Sequence, residues 1–339
     1  MKTPLTGQFT PRRALMLATA CLVLAAWGPT VTLPLARFHG IIVLDVTQSM
    51  NVEDYSADER PQSRLDAAKA ALHEALQALP CGSRVGWGVF TEYRTLVLLA
   101  PLETCAHFRE LGSTLDSIDG RLSWAGRSEI AKGIFWALRQ ADVMPHRPSI
   151  VFVTDGHEAP PINPRHRPHY DGKPGTIAGL IVGTGGLQPM PIPKFDPAGR
   201  RLGYWRADEV QQQDTYSMGR ATSVGQEKLV ETEEETGTAD WATSGNEHMS
   251  ALRERYLQVL AQELKLDYLR LDGGNAGARS LSRALGRSAL AQRVPTKVSL
   301  GGPLAAIALA LLAWTFRPAF RAARYRGTAS PRSPGTAKP

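Results

Sequence analysis

Residues 38–50 read FHGIIVLDVTQSM. Phe38–Val46 is a near-continuous apolar run, which predicts a central parallel strand buried on both faces. Asp45, Thr47 and Ser49 then fall at alternate positions as the chain leaves that strand. Downstream, Ser63 is placed to cap a helix in which Leu65, Ala68, Leu72, Ala75, Leu76 and Leu79 keep the 3–4 spacing of one apolar face. Two β-like runs follow, Val85–Thr91 and Thr95–Ala100, joined by Glu92-Tyr93-Arg94. Helices are expected near Cys105–Ile118 and Ser128–Ala141, then buried strands at Ser149–Thr154 (SIVFVT) and Thr176–Val182 (TIAGLIV). A helix over His248–Leu264 leads into Leu266–Leu271 (LDYLRL), and a last helical stretch covers Arg279–Gln292. Apolar strands alternating with amphipathic helices predict a doubly wound, Rossmann-like α/β domain with a mainly parallel sheet.

The 339 residues are 43% hydrophobic and 21% charged, which excludes a disordered or collagen-like chain. A net charge of +7 invites a nucleic-acid partner until its distribution is read. Residues 1–13 carry a net +3 and residues 317–339 a net +6, so residues 14–316 sum to −2. Nucleic-acid binding thereby loses its support.

Each basic end abuts an apolar run. Ala14–Ala36 is 23 residues without a charge, and Val298–Phe316 is 19. At 1.5 Å per residue both are long enough to predict transmembrane helices, the first being a signal anchor or, on another reading, a cleavable signal peptide. Cys21 reads as a residue within that span. The positive-inside rule then places residues 1–13 and 317–339 in the cytoplasm and residues 37–297 in the periplasm of a bacterial inner-membrane protein. Cys81 and Cys105 stand equally far from Tyr93, at the open end of the expected hairpin. An oxidising compartment permits a disulfide there; two free buried thiols are the other reading.

Residues 183–206 are rich in Gly and Pro and suggest a short hairpin excursion around Asp196-Pro197-Ala198-Gly199. Residues 207–247 carry ten acids against two bases and read as a solvated polar insertion, or a docking surface for a basic partner. Gly183-Thr184-Gly185-Gly186 runs into prolines instead of a helix, so turn chemistry accounts for it better than a phosphate cradle. His157, His166 and His169 sit on an irregular loop and are expected to face solvent.

Ligands of a doubly wound sheet bind outside the carboxyl ends of its strands. One such end offers Asp45, Thr47 and Ser49, and the SIVFVT strand ends in Asp155. Carboxylates and hydroxyls are the oxygen donors that hard divalent cations, Mg²⁺ or Ca²⁺, require. DVTQSM, SRLDAAKAAL, RSEIAKGI and VFVTDGHE together resemble the von Willebrand factor type A domain. The resemblance implies a metal-ion-dependent adhesion site: Asp45, Thr47 and Ser49 match its first loop, Ser128 its second-loop hydroxyl (usually threonine), and Asp155 its later aspartate. It implies that Thr47 and Ser49 hold the ion directly, that Asp45 and Asp155 act directly or through water, and that Ser128 joins on closure. One position is left for a partner's glutamate or aspartate.

Two spans around an external type A domain resemble membrane proteins that work with MoxR-type AAA+ ATPases. WAGRSEIAKGI and TDGHEAPP narrow that resemblance to the Mxa accessory proteins of periplasmic methanol dehydrogenase. The function expected from it is non-catalytic: metal-dependent binding that assists assembly or calcium loading of that enzyme. The other reading is a Bat-like aerotolerance protein. A metal-assisted hydrolase is more remote, because Asp45-Val46-Thr47 lacks the second aspartate of the DxDxT phosphatase loop and no activated nucleophile is evident.

Overall fold

The computed structural model describes residues 11–57, 59–123, 126–162, 166–212, 229–231, 246–287 and 290–326. Its main elements are α1 (Pro11–Trp27), β1 (Thr30–Asp45), α2 (Arg64–Ala78), β2 (Arg84–Thr91), β3 (Arg94–Glu103), α3 (Phe108–Ser117) and α4 (Ile130–Val143). There follow β4 (Ser149–Thr154), β5 (Gly179–Gly183), α5 (Glu254–Leu264), β6 (Asp267–Arg270), α6 (Gly274–Leu285), β7 (Ala291–Ser299) and α7 (Gly301–Arg326). The chain divides into two compact units, one over residues 36–294 and one formed by its two ends.

The seven-stranded sheet has the order β6-β5-β4-β1-β2-β3, with β7 also pairing β1. β1 runs parallel to both β2 and β4, with Ile42 opposite Trp87 on one side and Val151 on the other. β4–β5 and β5–β6 are parallel as well, and only β3 of the main path turns back antiparallel, on β2. The central place of β1 follows from its composition: Phe38 to Asp45 are all buried, leaving no polar face for water. Successive side chains alternate between two cores. Ile42, Leu44, Trp87 and Val151 meet Leu65, Leu72, Leu111 and Leu281 from α2, α3 and α6. On the opposite face Ile41, Val43, Phe90 and Phe152 meet Ile134, Phe135, Tyr256 and Leu257 from α4 and α5.

The Ser63 hydroxyl caps α2 by accepting the Asp66 N–H at 3.0 Å. Thr91 pairs with Arg94, so the β2–β3 turn tightens to Glu92-Tyr93, with Glu92 at φ 61°. Cys81 and Cys105 are joined by a disulfide, their Cα atoms 5.3 Å apart. Pro193–Phe195 and Arg201–Tyr204 form the small antiparallel excursion around the Asp196–Gly199 turn. α5 starts at Glu254 and not His248, because Met249 and Ser250 pair with Met190 and Pro191. The stretch expected to continue the last helix to Gln292 instead enters β7 at Ala291.

The two expected transmembrane helices are not formed. Among the described residues no helix is long and apolar enough to cross a membrane. The first apolar run is divided: α1 has 17 residues, about 25 Å at 1.5 Å each, short of a hydrocarbon core of about 30 Å. Gly28, at φ 65°, and Pro29 then turn the chain into β1. In the second run Val298 and Ser299 finish β7, and helix begins only at Gly301. The inner-membrane placement, with a periplasmic domain and cytoplasmic ends, rested on those spans and falls with them. Most of the acidic insertion (213–228 and 232–245), residues 1–10 and residues 327–339 lie outside the described residues.

Candidate functional site

The carboxyl ends of β1 and β4 are adjacent, and each delivers one buried carboxylate. Asp45 and Asp155 are both 0% exposed. The backbone curls into a single 3₁₀ turn at Gln48–Asn51 directly after Thr47, which folds Thr47 and Ser49 back over the strand end. Asp45 Oδ1 accepts from the Thr47 N–H at 2.9 Å and the Thr47 hydroxyl at 2.6 Å, and its Oδ2 accepts from Thr154 Oγ1 at 2.6 Å. Asp155 Oδ1 accepts from Ser49 Oγ at 3.1 Å and the His157 N–H at 3.0 Å.

Ser128 arrives from a third segment, just before α4. Its N–H donates to Ala159 O at 2.7 Å and its carbonyl accepts from Ala159 N at 2.8 Å. Next to it, Glu129 N donates to Glu92 O in the hairpin turn at 2.6 Å. Thr47, Ser49 and Ser128 thus line one pocket of about 140 Å³, together with His157, Trp205 and Glu247. The two aspartates stand behind the hydroxyls and not beside them. This ordering matters chemically. The Thr47 and Ser49 protons are committed to the carboxylates, so both oxygens face the pocket as acceptors.

Four polar atoms of pocket-lining side chains are buried without a hydrogen-bond partner: Ser128 Oγ, His157 Nδ1, Trp205 Nε1 and Glu247 Oε2. Leaving such atoms unpaired costs about 1–3 kcal/mol each. A pocket rimmed by acceptor oxygens with an orphaned hydroxyl suits a hard cation, and the donor set of Asp45, Thr47, Ser49, Ser128 and Asp155 fits one. Among the described residues no three His, Cys, Asp or Glu side chains gather as ligands; this donor set is mainly hydroxyl.

Electrostatics separate the two aspartates. Burial, then the charge of Asp155, pushes the Asp45 carboxyl up to about 7. Burial would raise Asp155 too, but the Arg64 guanidinium and the hydrogen bonds on both its oxygens hold it below the usual carboxylate range. Arg64 is fully buried: Nη1 reaches Asp155 Oδ2 at 2.5 Å and Ser250 Oγ at 2.7 Å, while Nε and Nη2 grip Asp54 Oδ2 at 2.9 and 2.7 Å. Gly185, at φ 115°, belongs to this arrangement, because a Cβ there would lie 2.6 Å from Arg64 Nε. The neighbouring Gly186 N–H donates to Asp54 Oδ2 at 2.8 Å, so the glycine run serves an ion pair.

Sequence reading missed Arg64, His157 and Glu247. Arg64 carried a signal: a cation in the first turn of a helix opposes the helix dipole, so it needs another reason to be there. His157, expected to face solvent, is buried, and burial holds its imidazole down at about 4. His169 does stay exposed. Glu247 left no trace beyond being one acid among many; its side chain is 1% exposed and burial pushes it up to about 7.

Residues 41–157 match the family model of the von Willebrand factor type A domain. The fold is that of a von Willebrand factor type A domain. Two UPF0353 proteins from strains of Mycobacterium leprae are 29% identical over 215 residues, a match that covers 56% of this chain and 60% of each relative. The chain therefore aligns with about three fifths of the length of these relatives. An aerotolerance-related membrane protein of Bacteroides fragilis resembles the type A domain with a TM-score of 0.46 at 19% identity, covering 72% of this chain and 96% of that one. BatB of Bacteroides thetaiotaomicron gives 0.45 at 18%, covering 74% and 97%.

These findings overturn the expected role as a membrane-anchored, calcium-loading helper of methanol dehydrogenase. No described helix can span a bilayer, and no cluster of three or more His, Cys, Asp or Glu ligands is found among the described residues. Neither the family model nor the relatives named above single out the methanol dehydrogenase accessory group.

Proposed function

We propose that this chain is a Bat-like binding module whose type A domain captures an acidic side chain of a protein partner through a divalent cation. The observation that carries the reading is the orphaned Ser128 hydroxyl, buried in the same pocket as the acceptor oxygens of Thr47 and Ser49. Thr47, Ser49 and Ser128 would hold the ion, with Asp45 and Asp155 behind them supplying negative charge. Bound there, the ion supplies an electrophilic anchor for a carboxylate oxygen. The unpartnered Trp205 Nε1–H offers a donor for the carboxylate's second oxygen. A volume of about 140 Å³ admits one side chain and excludes a folded surface, so recognition is by an inserted residue. The partner class that accompanies a Bat-like reading is an assembly containing a MoxR-type ATPase.

The module is read as binding without turnover, since both carboxylates are saturated by hydrogen bonds and neither is free to act as base. Thermal melting of the wild type and Asp45→Ala, each with and without Mg²⁺ or Ca²⁺, tests the reading. The wild type should gain several degrees and the variant none. An equal gain in both removes the assigned site.

A further inference from the structure

Two acidic side chains from outside the β1 and β4 strand ends line the pocket among the described residues: Glu209 is held by Lys194 and the Arg206 N–H, whereas Glu247 stays uncommitted on one oxygen. Its Oε1 lies 4.0 Å from Arg253 Nη2, and its Oε2 lies 3.5 Å from His157 Nε2 without forming a hydrogen bond. The residue is 2% exposed. A carboxylate oxygen so far from water is expensive unless something satisfies it. His157 does not satisfy it, because the 3.5 Å approach forms no hydrogen bond and its own Nδ1 is unpartnered too. Among the other lining groups Trp205 Nε1–H and the Ser128 hydroxyl do not reach it, being themselves without a hydrogen-bond partner, and Thr47 and Ser49 present acceptor oxygens.

The backbone gives Glu247 a fixed station. Its N–H donates to Gln212 Oε1 at 3.0 Å, and Ser250, three residues on, donates to Asp155 Oδ2 at 3.0 Å while accepting from Arg64. The segment that carries Glu247 is therefore tied to the same aspartate that backs the cation site. We propose that Glu247 is an internal ligand of that site, its carboxylate standing where the acidic side chain of a partner binds. This rests on the cation reading above and adds to it. The chain closes its own site, and a partner's acid has to displace Glu247 to engage the ion. Two carboxylates from outside the site cannot share one open position on an ion already held by protein oxygens.

The test uses the full chain and Mn²⁺ alone as probe, with affinity from calorimetry and the number of waters on the bound ion from water-proton relaxation. Asp45→Ala should bind no Mn²⁺. Glu247→Gln should still bind it, about tenfold more weakly, as is typical when a supporting group of a metal site is lost. It should also show higher relaxivity, because water enters the vacated place. Millimolar acetate should then bind the Mn²⁺-loaded Glu247→Gln protein and lower the relaxivity again, and leave the wild type unchanged. If Asp45→Ala loses Mn²⁺ but Glu247→Gln matches the wild type in affinity and relaxivity, the internal ligand is refuted and the cation site stands. If Asp45→Ala binds Mn²⁺ like the wild type, both fall. Should Glu247→Gln not fold, Glu247→Asp, one methylene shorter, is read by the same two measurements, and unchanged values again overturn the proposal.

Discussion

Arg64 Nη1 lies 2.5 Å from Asp155 Oδ2, and neither side chain is exposed to solvent. The guanidinium is shared with Asp54, whose side chain is 8% exposed. Removing one partner of a buried pair leaves an uncompensated charge, which costs about 3–5 kcal/mol. Arg64→Met is therefore expected to lose stability of that order in urea denaturation. Adding Asp155→Asn should recover part of the loss, and strictly additive effects in the double-mutant cycle would show that the pair is not coupled.

Gly133 faces the Phe90 ring across the α4–β2 contact. A Cβ at that position would lie 2.2 Å from two atoms of the ring. Gly133→Ala favours helix locally, by about 1 kcal/mol on propensity alone. Overpacking a filled core costs about 1–3 kcal/mol and opposes it. The net expectation is a lower melting temperature, and a rise would mean that Phe90 moves aside freely.

Glu158 fastens the start of α4. Its carboxyl accepts from the Ile130 and Ala131 N–H groups and from the Tyr256 hydroxyl. Burial nonetheless pushes it up to about 8, against an ordinary value of 4.5. Between those two values the folded chain holds a proton that the unfolded chain has released. The stabilisation is complete below about 4.5 and is lost as pH rises through about 8. A single group of this kind contributes a slope of up to about 1.4 kcal/mol per pH unit. Denaturation profiles from pH 5 to 8.5 should fall with pH, and Glu158→Gln should flatten them. A slope that is unchanged in the variant would assign the effect to other groups.

The Cys81–Cys105 bond closes a loop with a sequence separation of 24. Loop entropy alone gives it about 3 kcal/mol. Cys81→Ala with Cys105→Ala should lose stability of that size while the cation response is kept, because the bond sits at the end of the β2–β3 hairpin away from the strand ends that carry the site. A loss of Mg²⁺ stabilisation in this variant would contradict that separation.

The fold of residues 36–294 could be read in the sequence because its signals are local. The apolar run at Phe38–Asp45, the spacing from Leu65 to Leu79 and the SIVFVT strand each declare their own burial. Asp45, Thr47, Ser49 and Asp155 could be placed together because strand ends of one parallel sheet share an edge. What the residues could not show is depth. Nothing in DVTQSM indicates that the carboxylates lie behind the hydroxyls; that follows from the 3₁₀ turn after Thr47. Glu247 was invisible for a related reason: its place depends on a return of the chain some two hundred residues after Asp45. The membrane spans misled because an apolar count does not register where Gly28 and Pro29 end a helix and a strand begins.

The reciprocal peptide pair between Ser128 and Ala159, with Glu129 bonded to Glu92, sets a timescale. A hydroxyl on an open loop reorients in picoseconds to nanoseconds, as fast as its rotamer flips. Here the Ser128 backbone can shift only if main-chain bonds to two other segments break together. Rearrangement of that kind belongs to the microsecond-to-millisecond range. Capture of a partner that requires Ser128 to move would then be gated by the protein, with an association rate that levels off as partner concentration rises.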